Sequence, residues 1–260
     1  MSKCREIAEH IEKLCPVNLA CEWDNVGLLV GDSEKEIKKV LVCLDVDESV
    51  VKECISLGAD MIVSHHPIMF SPVNKLTEDD PQQRFIRKMC EKGICHYAAH
   101  TNMDCARGGL NDYLAEKLGF SKTEIFEKTA DNAGFGRYTE ADSTLEDMIL
   151  LCEEKLNLSS LRYVGEPGSR IRSVVVNSGS GSDALDGCIE RGVDLLITGD
   201  LKYSVARKAY EFGVCVIDAG HYGTEIIFTE LVSRYLGERF KDVEVFISKA
   251  NTSVLQTHNR

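Results

Sequence analysis

The chain has 260 residues, enough for one large or two modest domains around packed cores. Its formal net charge of −12 and isoelectric point near 5.1 give no electrostatic footprint for a polyanion, which argues against nucleic acid as a partner. No apolar run approaches the roughly 20 residues needed to span a bilayer. The first stretch, MSKCREIAEHIEKL, interleaves charged and apolar residues unlike a secretory signal, so the expected setting is cytoplasmic with no membrane partner. The eleven cysteines are odd in number and hold no CxxC pair. Several sit in apolar runs (Cys43, Cys215) and read as reduced packing residues, with Cys105 as the exposed thiol open to a redox role.

Taken in chain order, the elements alternate. Ile7, Ile11 and Leu14 share one face of a helix predicted over 3–14, stopped by Pro16. A strand at 38–46 is followed by a helix at 48–57 that ends at Gly58, then a strand at 60–64. A helix at 82–92 closes at Gly93, a strand follows at 94–99, and a helix at 109–118 stops at Gly119. Residues 121–143 read as an irregular connector, and an amphipathic helix follows at 144–157. A strand at 243–248, VEVFIS, is free to join either half. This is an α/β pattern.

The second half repeats the first. Residues 39–66 lie over 173–200 without a gap, and 93–101 over 213–221. Val40, Val42, Cys54, Ile55, Gly58 and Asp60 match Val174, Val176, Cys188, Ile189, Gly192 and Asp194. The expected organisation is two interlinked, pseudo-repeated α/β units, the first over 1–128 and the second over 129–260. In such folds ligands gather at the carboxyl ends of the strands.

Those strand ends carry the chemistry. His65 and His66 follow the apolar strand 60–64, where adjacent side chains point to opposite sides and Pro67 forces a turn. His100 opens HTNMD and places Asp104 four residues on; His221 opens HYGTE and places Glu225 four residues on. Imidazoles with carboxylates and no thiolate suit Zn, Mn, Fe, Co or Ni. Five or six such groups exceed one catalytic zinc and fit a two-metal site. Two alternatives stay open: a helix-cap hydrogen bond for His221 with Glu225, and an Asx turn for Asp104. Trp23, in WDNVGLLVGD, reads as an aromatic anchor at a turn into a strand.

SHHPIMF, AAHTNMD, TGDLKY and DAGHYGTE, with WDNVGLLVGD, closely resemble the NGG-interacting-factor-three-like family over residues 3–248. Members are often named GTP cyclohydrolase I type 2. The resemblance implies two α/β units with a dinuclear metal centre in the cleft between them, and a homo-oligomer in the form of a hexameric ring. It implies two divalent ions per chain on His65, His66, Asp104, His221 and Glu225, with Glu225 bridging both. It places His100 beside the metals for proton transfer and makes Asp24, Asn25 and Tyr203 candidates for substrate contact. Tyr203 stands where many relatives carry His, and the inserted domain of longer members is absent. The function implied is a metal-dependent hydrolase whose bridging water attacks a small molecule of unknown identity. A GTP cyclohydrolase-like reaction enters by family name, since the chain has no GxxxxGK[ST] or GxGxxG. The alternative is a non-catalytic metal-binding scaffold or regulatory interaction protein.

Overall fold

The computed structural model describes residues 1–250 and 252–256. In chain order, helix α1 (Cys4–Leu14) precedes strands β1 (Gly27–Val30) and β2 (Lys39–Cys43). Helix α2 (Glu48–Leu57), β3 (Met61–Ser64), α3 (Pro81–Lys92), β4 (Cys95–Ala98) and α4 (Thr101–Cys105) follow. Then come α5 (Leu110–Lys117), β5 (Glu124–Ala130), β6 (Ala133–Thr144), α6 (Leu145–Leu156), β7 (Arg162–Val164) and β8 (Arg170–Val176). The remainder is α7 (Leu185–Arg191), β9 (Leu195–Thr198), α8 (Tyr203–Phe212), β10 (Cys215–Asp218), α9 (His221–Glu225), α10 (Phe228–Arg239) and β11 (Glu244–Ile247).

Two compact units result: residues 1–103 with 228–254, and residues 104–227 with 255–260, of which 257–260 lie outside the described residues. The first holds a five-stranded sheet in the order β1-β4-β3-β2-β11, parallel except for β1. VEVFIS thus returns to the first unit, where β11 pairs with β2. Strand β3 is buried at every residue, as a central strand covered on both faces must be. Helices α2 and α3 bury Val50, Val51, Cys54, Ile86 and Met89 against Leu41 and Ile62. The second unit holds a six-stranded sheet, β5-β6-β8-β9-β10-β7, parallel only through β8-β9-β10. Val175, Leu196 and Val216 meet Leu185, Cys188 and Ala209 of α7 and α8.

The internal repeat is visible as identical register. Val40, Met61 and Cys95 line up across the first sheet, and their matched residues Val174, Leu195 and Cys215 line up across the second. Its shared residues have shared jobs. Gly58 (φ 62°) and Gly192 (φ 64°) end α2 and α7 in the left-handed conformation, their N–H groups donating to Cys54 and Ile55, and to Cys188 and Ile189. Asp60 then accepts from the backbone N–H of Lys38 and Lys39 at 2.8 and 3.1 Å; Asp194 accepts from Arg172 and Ser173 at 2.8 and 3.0 Å. The string Cys-Ile-x-x-Gly-x-Asp is therefore a helix stop and a strand staple.

Two expectations are corrected. The stretch 121–143 is a hairpin, β5 with β6, rather than an irregular connector. Its pattern is masked because β5 buries only Phe126 fully, while the interior of β6 holds Arg137. That guanidinium is fully buried, and its two terminal nitrogens donate to Asp112 and to the carbonyls of Ala106, Gly134 and Gly136, each at 2.8 Å. Cys105 is buried, whereas Cys90 is the exposed thiol.

Candidate metal centre

In the first unit three imidazoles gather at the carboxyl ends of β3 and β4. His65 is fully buried, with ring centroids of His66 at 5.1 Å, His100 at 5.2 Å and Phe228 at 5.0 Å. Each histidine can offer a ligand atom within 4.8 Å of the others'. Every Nδ1 is engaged by an oxygen: His65 with the Ala99 carbonyl at 2.8 Å, His66 with Asp45 at 2.7 Å, His100 with Asp24 at 2.9 Å. An oxygen that can only accept places the proton on Nδ1, so the lone pair of each neutral ring lies on Nε2. This is the arrangement by which metal-binding histidines are commonly oriented.

The supports reach into the core. Asp24 has no exposed side-chain surface. Besides His100 it accepts from the Thr101 N–H at 3.1 Å and hydrogen-bonds the Thr101 hydroxyl. Burial works to raise the Asp24 carboxyl, but the bonds from His100 and Thr101 outweigh it and hold it down at about 2. Asn25 donates its side-chain amide to the Met69 carbonyl at 2.6 Å. Beneath the doublet, the Ser64 hydroxyl donates to the His66 carbonyl at 2.7 Å and receives the Nε2–H of His96, also at 2.7 Å. His96 is fully buried, which pushes its imidazole down to about 3.

In the second unit His221 and Glu225 meet within one helical turn. The helix opens at His221, so the four-residue spacing brings Nε2 within 2.8 Å of the Glu225 carboxylate. His221 Nδ1 lies 2.7 Å from Asp200, at the end of β9. The bond to Glu225 raises the imidazole to about 9 against the opposing effect of burial, with Asp200 adding to the rise. Asp104 is buried nearby in the chain of contacts: it accepts from the Ser178 hydroxyl at 3.3 Å. The next residue, Gly179 (φ 57°), receives the Thr224 hydroxyl oxygen on its N–H at 2.9 Å. A Cβ on Gly179 would fall 1.9 Å from Glu225 Oε1 and 3.5 Å from the His221 ring, so this cradle exists only without a side chain. Tyr203, at the start of α8, is 83% exposed and makes no hydrogen bond or ring contact with His221 or Glu225 among the described residues.

Two residues outside the expected ligand set, Asp45 and Asp200, hold His66 and His221. Each follows a strand of the repeat and sits on the strand neighbouring its histidine's, β2 beside β3 and β9 beside β10. Asp200 also adopts φ 53°, a left-handed backbone rare outside glycine. The available signal was a carboxylate directly after a buried strand, in CLDV and TGD.

Within the first unit, three imidazoles oriented through Nδ1 suit a divalent cation; within the second, His221 and the buried Glu225 are groups of the same kind. Comparison with known proteins agrees on lineage. The sequence profile of Duf34/NIF3 (NGG1p interacting factor 3) matches residues 2–253. A Clostridium perfringens protein named GTP cyclohydrolase 1 type 2 homolog is 39% identical over 252 residues, covering 95% of this chain and 96% of that one. The fold is similar to the crystal structure of Staphylococcus aureus hypothetical protein SA1388, with TM-score 0.91, 29% identity and coverage of 98% and 99%. It is also similar to reduced HcgD from Methanocaldococcus jannaschii, with TM-score 0.83, 32% identity and coverage of 95% and 97%. The chain belongs to the Duf34/NIF3 (NGG1p interacting factor 3) family.

Proposed function

We propose that the chain is a dinuclear divalent-metal protein and a metal-dependent hydrolase of small molecules. His65, His66, Asp104, His221 and Glu225 hold the two ions, and Glu225 bridges them. The observation that carries this reading is the orientation of the imidazoles. His65, His66 and His100 offer ligand atoms within 4.8 Å of one another while each Nδ1 is tied to an oxygen. Divalent ions, when bound, supply an activated water near neutral pH and polarise a substrate oxygen.

The remaining work falls to side chains of this chain. Asp45 and Asp200 keep His66 and His221 in the tautomer that presents Nε2. His100, with Asp24 fixing Nδ1–H, takes up and returns protons at Nε2. The related proteins' name suggests a nucleotide substrate, and the family resemblance suggests a homo-oligomer, a ring of six copies; sedimentation of the intact protein tests the latter.

The deciding experiment is elemental analysis of protein stripped of metal and reloaded with Mn, Zn, Fe, Co or Ni. Two equivalents per chain are expected, with loss in His66→Ala and Glu225→Ala. Negligible uptake by the wild type ends the metal reading. The loaded protein is then screened against phosphoesters, nucleotides, cyclic amides and dipeptides beside His66→Ala. Full loading without turnover on any of these returns the non-catalytic scaffold.

A further inference from the structure

Buried cysteines mostly behave as small hydrophobes, and burial pushes the thiols of Cys54, Cys152 and Cys188 up to about 12. Cys4 and Cys95 depart from that pattern. Both are fully covered, one opening α1 and the other opening β4, and their thiols are joined by a hydrogen bond. That bond draws Cys95 below its ordinary range against the opposing effect of burial, and the Lys35 ammonium adds to the fall. The same bond, with burial, drives Cys4 up. Cys95 is therefore the thiolate of the pair, and Cys4 holds the proton.

One short segment, residues 31–35, brings the two together. The Cys4 N–H donates to the Lys35 carbonyl at 2.9 Å and the Arg5 N–H to the Ser33 carbonyl at 2.9 Å, which seats the first turn of α1 on it. Cys95 Sγ lies 3.5 Å from the Asp32 carbonyl of the same segment. Gly31 (φ 110°) leaves room for that sulfur, since a Cβ there would fall 2.6 Å from it. Lys35 is itself fixed beside β4, its ammonium donating to the Gly93 carbonyl at 2.7 Å.

We propose that Cys4 and Cys95 form a redox site, a dithiol that a small hydroperoxide converts to an intramolecular disulfide. The Cys95 thiolate attacks one oxygen of hydrogen peroxide and the O–O bond breaks. Cys95 becomes a sulfenic acid, and the other oxygen leaves as hydroxide, which takes up the proton that Cys95 had released. The Cys4 thiol then attacks the Cys95 sulfur. An S–S bond forms, the S–O bond breaks, and the hydroxyl leaves as water with the Cys4 proton. Overall, two thiols and one peroxide give one disulfide and two waters. A hydroperoxide is the fitting oxidant because both sulfurs are covered and a bulky disulfide has no surface to meet. The site stands at the amino end of β4, whereas the histidines gather at its carboxyl end, so it does not rest on the metal reading.

The test exposes the reduced full chain to graded hydrogen peroxide, alkylates the remaining thiols in denaturant and maps the digest by mass spectrometry. A link between the peptides holding Cys4 and Cys95 is expected at doses that leave Cys54 and Cys152 as thiols. A dithiol reductant should return both cysteines. Cys4→Ala and Cys95→Ser should each lose the link, and Cys105→Ser should keep it. The linked form should melt about 5–10 °C above the reduced one, because the bond closes a long loop, residues 4–95.

The proposal is overturned if Cys4 and Cys95 are recovered as thiols once the exposed Cys90 is fully oxidised. It is equally overturned if Cys95 proceeds to a sulfinic acid while Cys4 stays a thiol, or if Cys95 pairs with another cysteine. A link found only in protein that has lost its cooperative melt also overturns it, because the bond then joins unfolded chain. The wild-type map decides the matter even where a cysteine variant fails to fold.

Discussion

The carboxylate of Asp45 lies 2.7 Å from Nδ1 of His66. The second unit repeats the device with Asp200 and His221 at 2.7 Å, again from one parallel strand end to the next. The repeat does not align these residues with each other: His66 lies over Asp200, so the two units use different strand pairs for the same purpose. A proton fixed on Nδ1 leaves Nε2 as the donor nitrogen, which makes the pair a device for orientation.

Asp45→Asn and Asp200→Asn keep shape but remove the charge that favours Nδ1–H. Each should weaken metal binding about tenfold, the lower end of the range for such partners because both carboxylates are roughly half exposed. Thermal stability of the metal-free protein should change little. Competition with a chromophoric chelator measures the affinity, and equal affinity in wild type and variants would remove the orienting role.

Gly179→Ala tests the cradle. The left-handed backbone there costs about 1–2 kcal/mol with any side chain, and the new Cβ would also drive Glu225 aside. Gly192→Ala is the control in the same unit, with φ 64° and open space around its Cβ position. Both variants should lose similar stability from conformation, but only Gly179→Ala should lose metal uptake. Denaturant melts with elemental analysis separate the two effects.

His96 predicts acid sensitivity. Its folded-state pKa, about 3, lies below its ordinary 6.5, so the unfolded chain binds the extra proton first. The stabilising contribution is complete above pH 6.5 and is lost as pH falls toward 3. Between pH 6.5 and about 4.5 the loss amounts to about 2 kcal/mol. In His96→Gln, which can still donate to Ser64, the slope of stability against pH over that window should flatten. An unchanged slope would assign the acid sensitivity elsewhere.

Asp60 and Asp194 predict matched penalties. Each carboxylate receives two backbone N–H groups at the start of a parallel pairing of interior strands, β2 with β3 and β8 with β9. Asp60→Ala and Asp194→Ala should each cost about 1–3 kcal/mol of unfolding free energy. Urea denaturation followed by circular dichroism gives both values. A large effect at one site and none at the other would show that the repeat is formal and not energetic.

Much of this architecture was readable without coordinates. Buried strands declare themselves by composition, and Gly58, Gly93, Gly192 and Gly213 mark helix ends because a left-handed turn excludes most other residues. The doublet His65-His66 and the spacings to Asp104 and Glu225 pointed to strand ends for the same reason. The β5–β6 hairpin stayed hidden because Arg137 is buried inside it and its one carboxylate partner, Asp112, is distant in sequence.

By itself, then, the sequence determined the repeated α/β plan and the residues that could meet a metal, since periodicity and glycine placement are local properties. Only the tertiary structure decided that β11 joins the first sheet, that Asp45, Asp200 and Asp24 hold the imidazoles, and that Cys4 meets Cys95. Those outcomes depend on which distant segments lie within a hydrogen bond of each other, and no local pattern encodes a distance across the fold.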